Sequence, residues 1–197
     1  MTSYLDWELV ANFKENYWSN GWALGPYSVK GQRSQLGKLV YAVKYGQETT
    51  DDFGARSKAA QDILDTVKQF IKIKYPVNGR PFDVAICPPS NLEKKFDLTH
   101  YITSHLTAGG IRDCSDSIRK TRALVPMKNL TPKQRAIELA GAYEFVKSDK
   151  TRLLKGILIV DDVLDTGATS REICKVLEEA LPGIPKYYLA VTYILDQ

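Results

Sequence analysis

Cysteine is scarce in this chain of 197 residues: there are three, Cys87, Cys114 and Cys174, widely spaced and odd in number. That argues against a disulfide framework or a zinc ribbon and leaves three buried thiols as the expectation. Histidine is scarcer still, with two residues, and neither His100 nor His105 has a cluster of partner ligands around it. No apolar run approaches the length that spans a bilayer. The N-terminal Met1-Thr2-Ser3-Tyr4-Leu5-Asp6-Trp7-Glu8 lacks the basic head and apolar core of a signal peptide, so a cytoplasmic location with no membrane partner is expected. A strong excess of one charge is also missing. Lys and Arg number 27 against 23 Asp and Glu, a net charge of +4. That balance suits anionic small molecules and leaves nucleic acid possible but unsupported. The basic residues gather at 112–122, 128–135 and 147–155, where solvated faces would explain them equally well.

What the chain does have is one distinctive stretch, residues 156–170. A β-branched apolar run, Ile157-Leu158-Ile159-Val160, is followed by Asp161-Asp162, and a short polar turn around Gly167 leads into a helical pattern. Strand, loop and helix in that order carry two carboxylates to the C-terminal edge of a buried strand, where open α/β sheets place their ligands. The loop adds backbone N–H groups and the hydroxyls of Thr166, Thr169 and Ser170 at a helix N-terminus, a favourable place for an anion. Carboxylates for hydroxyls beside a cradle for phosphate point to a sugar phosphate. The plainer alternative is a capping turn served by Asp165 or Thr166. Capping needs only one short polar side chain, whereas this stretch holds three acids and three hydroxyls.

The remaining chain supplies the frame. Residues 1–35 hold Trp7, Trp18 and Trp22 among several Tyr and Phe, broken by Gly21, Gly25, Pro26 and Gly31. Residues 1–50 are therefore expected to form an aromatic-rich appendage or hood on an α/β domain of 51–197. Helical spacing appears over 36–45 and 51–74, and proline ends the second helix. Residues 82–87 read as a buried strand, followed by Pro88-Pro89-Ser90-Asn91 and a helix over 96–106. After 111–119 comes a long connection to a strand at 142–146. Within it, Thr131-Pro132-Lys133-Gln134 has the form of a capping box with proline at the first helical position. A helix with Ile173, Val176 and Leu177 on one face and a last strand over 187–195 complete the pattern. The alternation through 82–195 predicts an α/β fold with a mainly parallel sheet flanked by helices.

The stretch Val160-Asp161-Asp162-Val163-Leu164-Asp165-Thr166-Gly167-Ala168-Thr169 resembles the phosphoribosyl-pyrophosphate (PRPP) loop of type I phosphoribosyltransferases, an apolar strand with two acids and a Thr-Gly-x-Thr turn. Arg119-Lys120-Thr121, Arg135, Gly141-Ala142-Tyr143-Glu144-Phe145 and Val43-Lys44-Tyr45-Gly46 resemble the competence-protein F branch of that family. Two features depart from it. The N-terminal cysteine pairs frequent in that branch are missing, and Lys95-Phe96-Asp97 stands where an Arg-Gly-Phe-Asn run is usual.

The resemblance implies displacement of pyrophosphate from PRPP by a nitrogen nucleophile, a nucleobase or amine. Mg2+ would be the cation and a homodimer the assembly. Asp161 and Asp162 would hold the ribose hydroxyls, directly or through Mg2+. Asp165, Thr166, Gly167, Ala168 and Thr169 would bind the 5′-phosphate. Ser90, Asn91, Lys94, Lys95, Arg119 and Lys120 become candidate pyrophosphate contacts. The long connection resembles a flexible hairpin loop that closes over PRPP, with Lys133 and Arg135 neutralising charge during catalysis. Asp165 would be either the general base for the acceptor or only a residue that shapes the loop. A non-catalytic PRPP-sensing regulator, or a nucleic-acid accessory protein on the same fold, is the competing expectation.

Overall fold

Unbroken apolar runs form strands that are covered on both faces, and the spacing of the intervening helical faces decides which layer covers them. In a computed structural model, residues 4–6, 8–15, 17–46, 50–76, 79–90, 96–127 and 130–194 are described. The chain begins with a hairpin, β1 (Ala11–Glu15) and β2 (Trp18–Ala23), and a small ribbon, β3 (Ser28–Val29) and β4 (Gln32–Arg33). Helices α1 (Gln35–Tyr45) and α2 (Thr50–Lys74) precede strand β5 (Val84–Ile86). Then come α3 (Leu98–His105), the edge strand β6 (Arg112–Asp113) and a second hairpin. That hairpin pairs β7 (Ile118–Lys120) with β8 (Tyr143–Phe145) and carries α4 (Pro132–Leu139) in its connection. Finally β9 (Ile157–Leu164), α5 (Ala168–Ala180) and β10 (Lys186–Tyr193) close the fold.

The main sheet has six strands in the order β1-β2-β10-β9-β5-β6. Only the β1/β2 pair is antiparallel; the others run parallel. This is the mostly parallel, helix-flanked α/β sheet that the alternating pattern predicts. Side chains alternate across β9, so Ile157 and Ile159 enter one core while Leu158 and Val160 enter the other. The first core packs against α5 through Ile173 and Leu177. The second packs against α1 through Val40 and Val43, α2 through Ile63 and Val67, and α3 through Ile102. Each such fully buried aliphatic side chain contributes about 1.5–3 kcal/mol.

Residues 11–23, inside the segment expected to form an appendage, contribute two strands to this sheet. Trp18 stacks on Tyr188 with centroids 4.9 Å apart in one core, and Trp22 packs edge-on to Tyr75 at 5.4 Å in the other. Trp7 lies outside the described residues. The three cysteines are free and buried. Among the described residues, no helix is long and apolar enough to cross a membrane.

The expected capping box is present: Thr131 accepts from the Gln134 N–H at 3.3 Å, and Gln134 Oε1 accepts from the Thr131 N–H at 2.9 Å. One boundary differs from expectation. The strand continues past the apolar run to Leu164, because β10 keeps pairing with it through Thr192↔Val163 and Tyr193↔Leu164. The two acids therefore lie within the extended strand. Its entry is tight: a Cβ on Gly156 would collide with the Pro81 carbonyl oxygen and meet that of Pro185 at 3.3 Å. Gly156→Ala is expected to destabilise the protein by about 3 kcal/mol, measured by denaturant unfolding, because backbone on both sides must shift.

Candidate functional site

Adjacent residues in a strand point to opposite faces, and this decides what each acid of β9 meets. Asp161 faces the α5 layer, where the Tyr188 hydroxyl donates to its Oδ2 at 3.0 Å and the Asp162 N–H donates to its Oδ1 at 2.8 Å. Asp162 faces the α1 layer, where Lys44 Nζ lies 2.7 Å from its Oδ2. Burial and the neighbouring Asp162 charge push the Asp161 carboxyl up to about 6, although the Asp162 N–H, Tyr188 and Lys44 pull the other way. Burial alone would depress Lys44, but attraction to Asp162, its hydrogen bond and the Asp161 charge together raise it, so the ammonium is firmly held. Burial, then Asp161 and Glu172, lift Tyr143 to about 12. Burial and the Asp161 charge raise Tyr188 as well, and both phenols stay protonated at neutral pH.

The loop after β9 leads into α5. Gly167 is the N-cap of α5 in the left-handed conformation, φ 67°, with no side-chain cap bond. Asp165 does not cap: it pairs with Arg135 of α4. Thr166 Oγ1 accepts from the Ala168 N–H only at 3.4 Å. The alternative of a simple capping turn thus leaves the acids unexplained. Arg171 donates to the Thr166 carbonyl, and Ser170 Oγ donates to that of Gly167 at 2.9 Å, which fixes the turn. Gly167, Ala168 and Thr169 line a recess of about 90 Å³ with Asp161, Asp165, Thr166 and Arg135. A left-handed non-glycine residue costs about 1–2 kcal/mol, less for Asn. Gly167→Ala is therefore expected to lose about that much stability and Gly167→Asn less, as read by thermal melts.

The recess opens into a cleft of about 340 Å³ that contains Asp161, Asp162, Lys44, Ser90, Lys120 and Thr169. Ser90 and Lys120 also line a further cleft of about 550 Å³, where Arg119 and His100 stand. The structure thus brings together Asp161, Asp162, Asp165, Thr166, Gly167, Ala168, Thr169 and Arg135, with Ser90 and Lys120 across from them. Arg119 is exposed at the outer cleft, and Lys133 is exposed on α4. Asn91, Lys94 and Lys95 lie outside the described residues. The connecting hairpin is tied down at its base: Thr121 Oγ1 donates to the Gly141 carbonyl at 2.9 Å, and the Gly141 N–H donates to Glu172 of α5 at 2.8 Å.

Sequence reasoning did not single out Lys44, Tyr188 or Glu172. Lys44 lies well over a hundred residues from Asp162, and Tyr188 sits in an apolar strand pattern. The one available signal was the Val43-Lys44-Tyr45-Gly46 stretch. Among the described residues no three His, Cys, Asp or Glu side chains gather as a metal site. The donors present are oxygens, two carboxylates beside the N-terminus of α5. That set suits Mg2+, which takes one or two carboxylates and completes its shell with waters and ligand phosphates.

Fold and site together define an open α/β protein with paired acids and a helix N-terminus at the carboxyl edge of its central strands. Neither a family model nor a curated protein sequence matches the chain. Its structure is similar to that of the Helicobacter pylori xanthine-guanine-hypoxanthine phosphoribosyltransferase, with a TM-score of 0.38 and 17% sequence identity, covering 76% of this chain and 86% of that one. At that TM-score the likeness carries no weight for function, and the chemistry of the cleft rests on its own residues.

Proposed function

We propose that the chain binds PRPP at this edge and transfers its phosphoribosyl group to a nitrogen nucleophile, a nucleobase or amine, releasing pyrophosphate. The observation that carries this is the placement of Asp161 and Asp162 at the end of a central strand directly beside the uncapped N-terminus of α5. The 5′-phosphate takes the recess formed by residues 165–169, where N–H donors and the helix dipole favour an anion. Asp161 and Asp162 receive the ribose hydroxyls. They would also hold Mg2+, which when bound supplies charge neutralisation to the pyrophosphate oxygens.

Ser90 and Lys120 line the same cleft as the two acids, with Arg119 in the outer cleft beyond, and these are the proposed contacts of the leaving pyrophosphate. In the reaction a C–N bond forms at the anomeric carbon as the bond to the pyrophosphate oxygen breaks, and the acceptor loses a proton. Asp165 is the proposed base, and its carboxylate is engaged by Arg135. An acceptor N–H that takes over Asp165 frees the Arg135 guanidinium for the pyrophosphate, where negative charge grows. Within the type I class, the nearest branch is that of competence-protein F, on the strength of Arg119-Lys120-Thr121 and Gly141-Ala142-Tyr143, which meet in the β7–β8 hairpin.

One observation favours a second reading, a PRPP-sensing regulator without chemistry. Asp97, at the position where the pyrophosphate loop departs from the family pattern, is spent on capping α3, accepting from the His100 N–H at 3.1 Å and the Thr99 hydroxyl at 2.7 Å. Calorimetry with PRPP and Mg2+, followed by a pyrophosphate-release screen over purines, pyrimidines and ammonia donors, separates the two. Binding with release by one acceptor supports the transferase. Binding with no release by any acceptor supports the regulator, and no binding rejects both.

A further inference from the structure

Two adjacent half-buried carboxylates repel each other and need a counter-charge. Lys44 provides it: its Nζ is 2.7 Å from Asp162 Oδ2, with 26% of the lysine side chain and 17% of the aspartate side chain exposed. The lysine is delivered by a fixed element. Val40 and Val43 of α1 are fully packed in the core, and the Gly46 N–H closes the helix on the Ala42 carbonyl at 3.0 Å. Lys44 lines the same cleft as Ser90, Lys120 and Thr169. Its ammonium therefore stands where a metal ion held by Asp162 would stand. Two cations at one carboxylate repel strongly in so confined a place, and only added anionic oxygens remove that conflict.

We propose that Lys44 is a built-in counter-ion that holds the cation position at Asp162 until the ligand arrives, so that a divalent ion binds this edge only together with the phosphorylated ligand. This rests on the assignment of Asp161 and Asp162 as the acids that hold Mg2+. The lysine is a positioning residue: it holds Asp162 in place, and yields it when ligand phosphates bring the metal and a new partner for the ammonium. A consequence is an order of binding, with free metal excluded and metal–ligand admitted.

The test is a titration of the whole protein with Mn2+ alone, with free ion followed by electron paramagnetic resonance. Wild type is compared with Lys44→Met, Lys44→Gln and Lys44→Arg, each checked by its thermal melt. Removing the charge in Lys44→Met or Lys44→Gln is expected to tighten Mn2+ binding at least about tenfold, whereas Lys44→Arg stays within about twofold of wild type. The gain should vanish when Asp161→Asn and Asp162→Asn are added, and the gap should narrow when PRPP is present. Lys44→Gln keeps a hydrogen-bond donor and serves if Lys44→Met does not fold. Unchanged or weaker Mn2+ binding in a folded uncharged variant overturns the proposal. The Mn2+ titrations need no PRPP. A wild type that fails to bind PRPP would therefore sink the transferase and regulator readings while leaving the role of Lys44 decided by the metal data.

Discussion

Replacing Asp161 and Asp162 together by Asn is expected to weaken binding of PRPP with Mg2+ by about 100-fold or more, below detection by calorimetry. A charge-assisted hydrogen bond is worth about 1.5–3 kcal/mol, and both acids contribute. The loss should come without loss of fold. Asp161 is half-buried beside another carboxylate, with its carboxyl raised to about 6, so its ionised form opposes folding at neutral pH. A carboxyl whose folded pKa lies above its unfolded value gives stability that is complete below the unfolded pKa and is lost as pH rises through the folded one. At pH 7 that stability is absent in the wild type. Asp161→Asn alone is therefore expected to raise Tm at pH 7 by about 3 °C, and the gap to wild type should shrink as pH falls below about 6. Asp162→Asn leaves Lys44 without its partner and should not stabilise. Unchanged PRPP affinity in the double variant would remove the assignment of the site.

Arg135→Ala is expected to lower turnover by about 100-fold while changing PRPP affinity by no more than about threefold. Loss of one donor that acts only on charge developing in the transition state has an effect of that size. Arg135 reaches back from α4 through Nε to the carbonyls of Met127 at 3.1 Å and Leu130 at 3.0 Å, and its guanidinium pairs with Asp165. It thus shapes the hairpin and parks on the candidate base at the same time. Arg135→Lys keeps the charge but not the fork and should fall between wild type and Ala. Lys133, exposed on the same helix, should contribute less on its own, and the Lys133→Ala/Arg135→Ala pair should still lower turnover more than binding. Equal losses in affinity and turnover would make Arg135 a ground-state ligand contact, and full turnover in the double variant would exclude the hairpin from the mechanism.

How far the residues could be read from sequence depended on how local their cause is. The strand–turn–helix was legible because its parts follow one another within 156–170, and a helix start with Gly167 ahead of it is set by neighbouring residues. The capping box at Thr131 was legible for the same reason. The strand's true end at Leu164 was not, since pairing with β10 rather than apolar composition holds the backbone extended there. Nor was the path of the N-terminal residues. Tryptophans among glycines announce packing without saying against what, and β2 finds its place only because β10 leaves a parallel edge beside it.

By itself the sequence determined the class of fold, the α/β alternation, and the paired acids on a strand–loop–helix, because periodicity and turn chemistry act over a few residues. The tertiary structure alone decided that Asp161 and Asp162 have different partners. Strand alternation sends them to opposite layers, where Tyr188 and Lys44, distant in the chain, happen to be delivered by β10 and α1. It also decided that Asp165 is met by Arg135, since the hairpin base at Gly141 and Glu172 places α4 beside the loop after β9. Such pairings depend on which layers close over the sheet, and no local pattern records that.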